Sequence, residues 1–382
     1  MRSHMPPHAY IDQAWFERER DLLFKPLWQF VGLKVTLDKH NAFLTRTLFG
    51  IPVVIQNFQG ELRAFENICP HRQNPIQIQP HGVRPLFCSY HGWSFDREGT
   101  TRIPHEETLY RFDKEERACI HLRQFALEIV GNLLFVNLSA QPLPIAEQFG
   151  AEMLASLQAS SDAYDSEVIV TTYEGKFNWK LAYENLRDSH HPRYLHARTL
   201  YQDVKFHAGI DESALTALRQ QQVNLLDERS EALALMRRFS TGGPDAPMQA
   251  PPNEHWQTMV ERYGSQDWYY NWLAFPNLHL ASSNGGHSFT IEHHIPVAPG
   301  RTDLVLCFVT AKKKRPYPSS AAVLHAHMME ADKILREDID VMEQIQRTLH
   351  PDTRPAHLGD YEFLNASVEQ WYLGLMEGKF AL

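Results

Sequence analysis

Hydrophobic and polar positions alternate in short runs over the first third of the chain. FVGL (30–33), AFLTRTLFGIPVVIQNF (42–58), LRAFENI (62–68) and ALEIVGNLLFVNL (126–138) are rich in β-branched and aromatic residues and are broken by turn residues. This spacing predicts an antiparallel all-β domain over 28–140. QPLPIAEQFG (141–150) interrupts the pattern with two prolines and marks the expected start of a second domain, 141–382, on which residues 6–27 are expected to pack. Within it SEVIVTTYEGKFNWKL (166–181) reads as a strand running into a helix, 211–239 as helical, and the Gly/Pro-rich STGGPDAPMQAPPN (240–253) as a loop or lid. Strands are expected within 269–284, 287–299 and 303–313, and a long helix over about 320–349. An antiparallel sheet with helices packed on it makes this region, and the chain as a whole, α+β.

Length and composition narrow the function. A chain of 382 residues suits two domains, and 22% charged with 43% hydrophobic residues fits a soluble globular protein. The longest apolar run, 125–138, is too short to cross a bilayer and carries Glu128. No membrane span or secretory signal is expected, and the expected location is the cytoplasm. A net charge of −9 argues against a nucleic-acid partner. The run Lys312–Arg315 reads as a solvated turn or as a docking patch for an acidic protein. The chain has four cysteines, and in a reducing compartment spaced cysteines read first as metal ligands. Cys119 and Cys307 are expected to be buried apolar residues.

The other pair, Cys69 and Cys88, belongs to CPHRQNPIQIQPHGVRPLFCSYHGW (69–93), where Cys69-Pro-His71 and Cys88-Ser-Tyr-His91 are separated by sixteen residues. Tetrahedral zinc accepts such mixed donors. The tight Cys-x-His spacing and the apolar and aromatic surroundings fit a two-iron cluster better, with cysteines on one iron and histidines on the other.

A second constellation lies in NWKLAYENLRDSHHPRYLH (178–196). Asp188 and His191 are expected on one helical face, with Pro192 interrupting the helix before His196. A hydrogen-bonded histidine pair is the ordinary reading of such a cluster. In the 321–349 helix, however, an apolar stripe runs Leu324, Met328, Ala331, Leu335, Asp338, Met342, Ile345, Leu349. A carboxylate on that stripe calls for a partner or a metal, whereas Glu337 and Asp340 lie off it and are expected to be solvated. Two histidines and one carboxylate are the donor set of non-haem Fe(II) oxygenases.

The first motif resembles the Rieske cluster motif of ring-hydroxylating oxygenases, although Gln73 stands where that family usually has glycine. The disulfide-forming cysteines of respiratory Rieske proteins have no counterpart here. Asn-Trp-Lys-Leu-x-x-Glu-Asn-x-x-Asp-x-x-His-x4-His, with Glu-Asp in the later helix, is similar to the catalytic domain of the same family. The resemblance runs from Trp28 to about Leu349. It implies an all-β Rieske domain joined to a helix-grip, START-like catalytic domain, with a [2Fe-2S] cluster on Cys69, His71, Cys88 and His91. It further implies a mononuclear Fe(II) on His191, His196 and Asp338, the x4 spacing selecting His191 over His190.

The same likeness implies the terminal oxygenase of a multicomponent enzyme, taking electrons from NAD(P)H through a reductase or ferredoxin. It implies a homotrimer in which Asp188 bridges the iron site to His91 of a neighbouring protomer, and Asn185 near the iron. Asn-Leu-Arg-Asp-x-x-His points towards aromatic acids as substrates, in aromatic catabolism. The alternative is hydroxylation or demethylation of a small quaternary ammonium compound, and a third reading is an electron carrier without oxygenase activity. Trp272, Phe275, His279, Asn284 and Phe289 are candidates for the pocket, and Arg187 or Arg193 for meeting a substrate carboxylate.

Overall fold

The structure, a computed structural model, describes residues 2–188, 190–204, 229–248, 254–316 and 319–382. It divides into two compact units, one of residues 30–142 and one combining the residues up to 29 with 143–382.

The smaller unit is built on strands β1 (Trp28–Leu33), β2 (Ala42–Leu48), β3 (Ile51–Phe58), β4 (Glu61–Glu66), β5 (His81–Val83), β8 (Gln124–Val130) and β9 (Leu133–Asn137), in the order β1-β9-β8-β4-β3-β2-β5. Two short strands, β6 (Ser94–Phe95) and β7 (Thr101–Arg102), pair separately. The β2–β3 hairpin turns on Phe49 and Gly50, both at positive φ (53° and 84°), the twist that a two-residue hairpin requires. The core of this unit, with Phe43, Val54, Phe65, Ile76, Leu86 and Trp93, extends to Cys69 and Cys88. Apolar packing thus fixes the two thiols from behind. Cys119 departs from expectation: it ends a short helix, Lys114–Cys119, that buries none of its residues, and it is exposed.

The larger unit carries an antiparallel sheet of β10 (Tyr164–Gly175), β11 (Thr241–Pro247), β12 (Trp268–Ala274), β13 (Leu278–Ser282), β14 (Ser288–Ala298) and β15 (Arg301–Ala311), ordered β10-β15-β14-β13-β12-β11. Helices α1 (Gln13–Glu19), α2 (Ala151–Asp162), α3 (Trp179–Asn185), α4 (Arg229–Arg237), α5 (Ala321–Thr348) and α6 (Phe363–Met376) accompany it. Side chains alternate across the strands. On one face Trp272 and Phe289 are fully buried, and the Trp272 indole donates to Ser156 of α2 at 2.8 Å. The opposite face, with Thr290 and Tyr173, receives α5: the Tyr173 hydroxyl donates to Asp332 at 2.7 Å, and His327 meets Ser288 and Thr290 at 3.0 and 3.2 Å.

The segment read as a loop over 240–253 is instead an edge strand from Thr241 to Pro247, paired with β12, while 249–253 lie outside the described residues. An edge strand tolerates proline because its outer side needs no donor. Gly242 has a packing reason: a Cβ there would collide with the Trp272 ring. Of the helical expectation for 211–239, residues 211–228 lie outside the described residues and 229–237 form α4. The apolar stripe of α5 is narrower than its periodicity implies: Leu324, Leu335 and Met342 are buried, whereas Ile345 is exposed.

Candidate metal centres

In the smaller unit two loops present the donors. The Cys69 N–H donates to the Asn74 carbonyl and the Gln73 N–H to the Cys69 carbonyl, both at 2.9 Å; the Cys88 N–H donates to the Trp93 carbonyl at 2.7 Å. Gln73 sits at φ 58°, a left-handed conformation that costs an L-residue about 1 kcal/mol and that glycine adopts freely. That is the physical content of a glycine at this position in related motifs. Cys69 and Cys88 are buried free thiols, and burial pushes the Cys69 thiol up to about 11. The His71 and His91 rings lie 4.4 Å apart between centroids at the unit's surface, His71 stacking on Trp93 at 4.6 Å. His71 Nδ1 is buried without a hydrogen-bond partner. Burial, then His91 and Arg72, hold the His71 imidazole below its ordinary range, in the neutral form that ligates metal. Asn74 reaches Cys88 Sγ at 3.6 Å, the kind of contact that tunes a bound sulfur centre. Two buried thiols without a disulfide, and two imidazoles on the outer side, fit a two-iron cluster.

In the larger unit α3 begins at Asn178, whose side chain accepts from the Lys180 N–H at 3.0 Å. The helix ends at Asn185, so Asp188 and His191 do not share a helical face as expected. Instead Asp188 Oδ1 accepts from the N–H groups of His190 and His191 at 2.7 and 3.3 Å, opening a 3₁₀ turn over His191–Arg193 with Pro192 inside it. A short polar side chain competing for backbone donors ends the first helix and starts the next turn. His191 and His196 are thereby turned towards α5. One donor atom from each of His191, His196 and Asp338 lies within 4.8 Å of the others. His196 Nε2 is 3.1 Å and His191 Nε2 3.7 Å from Asp338 Oδ1, and the Asn185 amide donates to the same oxygen at 2.8 Å. Asp188 Oδ2 stands 3.7 Å from His191 Nδ1.

Glu337 corrects the expectation of a solvated side chain. It bonds His196 Nδ1 at 2.7 Å and accepts from the Thr199 hydroxyl at 2.8 Å. A carboxylate on Nδ1 fixes the proton there and frees the Nε2 lone pair for a metal. Burial opposes protonation of His196, but Asp338 and Glu337 outweigh it; burial lowers His191 despite Asp338 and Asp188. Position along α5 gives no sign of the Glu337 contact, because its partners come from the loop after α3.

Of the pocket candidates, His279 lies on the sheet face that receives α5. Its ring is 3.2 Å from Glu292, which also meets His294 at 3.1 Å. Burial opposes the Glu292 charge, yet the two imidazoles hold this carboxyl far below its usual range. Tyr269 is kept a neutral phenol by burial and then by Asp245, Glu292 and Asp338. It lines a cleft of about 290 Å³ with Ala281, Thr290, His327 and Leu335. Trp272 and Phe289 pack on the far face, Phe275 packs on Tyr183 and Trp371, and Asn284 bonds Ser282 and Ser288. Arg187 stacks on Tyr183 with its guanidinium carbon 4.7 Å from the ring centroid, and Arg193 is exposed.

Residues 163–378 match the family described as the ring hydroxylating alpha subunit catalytic domain, and residues 27–113 the Rieske [2Fe-2S] domain. The chain is 29% identical over 223 residues to the glycine betaine monooxygenase oxygenase subunit of Pseudomonas aeruginosa, covering 57% of this chain and 50% of that protein. It is 27% identical over 210 residues to the anthranilate 1,2-dioxygenase large subunit of Burkholderia cepacia, covering 51% and 48%. The chain thus spans about half the length of the curated relatives it matches first. The fold is shared with a quaternary ammonium Rieske monooxygenase (TM-score 0.70, 16% identity, 96% of this chain and 94% of that one). It is shared equally with naphthalene 1,2-dioxygenase from Rhodococcus sp. (TM-score 0.69, 16% identity, 98% and 94%).

Proposed function

Because this chain belongs to the family of ring-hydroxylating oxygenase alpha subunits, with a Rieske domain and a catalytic domain, we propose that it is the terminal oxygenase of a multicomponent enzyme. Its partner is a reductase or ferredoxin drawing on NAD(P)H. The observation that carries this reading is the convergence of His191, His196 and Asp338 within 4.8 Å, with His196 anchored through Nδ1 by Glu337. When bound, a [2Fe-2S] cluster passes single electrons and a non-haem Fe(II) activates O2. The protein's part is positional. Cys69 and Cys88 hold the buried side of the cluster site, while His71 and His91 form its outer side. His191, His196 and Asp338 would hold the iron, with Asn185 donating to the Asp338 carboxylate and steadying it. Asp188, beside His191, is the proposed bridge to His91 of a neighbouring protomer in a trimer.

For the substrate, a small quaternary ammonium compound is better supported than the aromatic acid first expected. Relatives named for glycine betaine, choline and carnitine support it. So does the Tyr269 ring in the cleft it lines, an aromatic face that attracts a cation. The anthranilate enzyme among the relatives keeps the aromatic acid as the second reading. The test is turnover of the purified protein with a reductase and NADH, offering glycine betaine, carnitine and choline beside anthranilate and benzoate. We expect O2 consumption matched by hydroxylation next to the quaternary nitrogen and collapse to amine and aldehyde. Turnover of the aromatic acids alone would overturn the substrate assignment, and absence of iron and sulfide from the purified protein would overturn the oxygenase.

A further inference from the structure

Beside the proposed iron site lies a buried polar cluster that the chemistry above does not use. Lys180 of α3 pairs with Glu19 of α1 at 2.5 Å, with side chains 5% and 0% exposed. Its ammonium is ringed by Tyr10, Trp179 and Tyr372 at 5.1, 5.1 and 5.4 Å. With that cation committed to Glu19, Glu184 one turn further along α3 is left with a different partner, the Tyr10 hydroxyl, which donates to it at 2.6 Å. The other charged groups around Glu184 are Glu362 and Glu369 from the C-terminal segment. Glu369 is itself held by the Ser3 hydroxyl and the His4 N–H at 2.8 and 2.9 Å. Burial first, then Glu369 and Glu362, against the Tyr10 bond and Lys180, push the Glu184 carboxyl up to about 7.

Glu184 also opens onto the iron site. It lines a cleft of about 240 Å³ together with Tyr10, Asn185, Asp188, His191 and Glu369, room for several hydrogen-bonded waters. The next residue, Asn185, holds Asp338. From α5 the cleft receives only the apolar Val341, Met342 and Ile345.

We propose that Glu184, held by Tyr10, is the proton store of the iron site, loading from the cleft as an electron arrives and releasing to the cleft as oxygen is reduced. The inference rests on the oxygenase reading. Monooxygenation consumes two electrons and two protons: R–H + O2 + 2e⁻ + 2H⁺ gives R–OH + H2O, the electrons coming from the reductase and the protons from solvent. An electron entering a centre across the cleft adds a negative charge. That charge draws a proton onto the Glu184 carboxylate (–COO⁻ + H⁺ gives –COOH), and the proton is given back when the oxygen that becomes water needs it. A half-buried carboxyl poised near neutrality changes its protonation for a small change in local field, whereas an ordinary exposed glutamate stays ionised throughout.

The experiment compares the holoenzyme with Glu184→Gln and Tyr10→Phe, reading anaerobic reduction by a pH-indicator dye and the protonated-carboxyl C=O band by infrared difference spectroscopy. In the wild type we expect proton uptake near pH 7 and a carboxylic-acid band that titrates near neutrality. In Glu184→Gln that band is lost, uptake at pH 7 falls by up to about half a proton per iron site, because a carboxyl at about 7 is already half protonated there, and the yield of product per O2 drops while iron content and spectra are kept. In Tyr10→Phe the band persists and titrates at higher pH, since the phenol stabilises the carboxylate; this variant tests the proposal if Glu184→Gln fails to fold. Unchanged uptake and an unchanged band in Glu184→Gln, or an unmoved titration in Tyr10→Phe, would overturn the proton store. A wild type without mononuclear iron would instead overturn the oxygenase reading, so the two failures are told apart.

Discussion

Glu337 shows how much one carboxylate can decide at the scale of a residue. His196 is 2% exposed in its side chain, and a buried imidazole with no partner on Nδ1 is free to place its proton on either nitrogen. With Glu337 on Nδ1 at 2.7 Å and Thr199 holding Glu337 in turn, Nε2 faces Asp338 as an acceptor ready for a cation. Substituting Glu337 by alanine leaves the three donors in place and removes their anchor. Iron affinity should fall by about 10–100-fold, read as iron retained after dialysis against a chelator, with the cluster spectrum unaltered. Retention equal to wild type would mean that Glu337 is only a packing neighbour. Gln73 makes the complementary point: its left-handed φ of 58° explains why the turn favours glycine, and its backbone N–H, not its side chain, closes the Cys69 loop.

At the scale of elements, β11 and α5 show composition and periodicity read against the fold in opposite ways. β11 extends the sheet past β12, and Gly242 lets the Trp272 indole lie against the strand. Gly242→Val drives a side chain into that ring, and overpacking of this kind costs about 1–3 kcal/mol. A lowered melting temperature with unchanged cluster absorbance is the expected outcome, and an unshifted melt would contradict the packing role. The Gly/Pro content of 240–253 reads as a loop because isolated composition cannot tell an edge strand from a turn; pairing with β12, distant in sequence, makes the difference. α5 is the reverse case. Its periodicity predicts an amphipathic helix with Asp338 on the inner side, and the helix runs from Ala321 to Thr348. The width of the buried stripe depends on what the sheet and the loop after α3 place against it.

At the scale of the whole molecule, the proposed chemistry requires traffic between a cluster and an iron site, with Asp188 and His91 as the proposed bridge between protomers. A mixing experiment checks it. A Cys88→Ser protein without a cluster and an Asp338→Ala protein without mononuclear iron should each be inactive alone, and should regain a substantial fraction of activity when dissociated and reassembled together. Mixed assemblies with no activity would exclude transfer between subunits. Among the described residues no helix is long and apolar enough to cross a membrane.

What the sequence determined by itself is local: the alternation that makes β-strands, the periodicity that makes α5, and the donor pairs lying within a few residues of one another, Cys69 with His71, Cys88 with His91, and His191 with His196. Donors so close along the chain are brought together by one turn of backbone, at little entropic cost, which is why their grouping is legible without a fold. The tertiary structure alone decided that Glu337 turns to His196, that Tyr10 meets Glu184, and that Glu292 stands between His279 and His294. Most of these contacts join groups far apart in the chain, and all depend on which face of a helix or strand ends inside. That choice follows from the summed packing of the sheet against α5 and α3, a quantity that no short stretch of sequence contains.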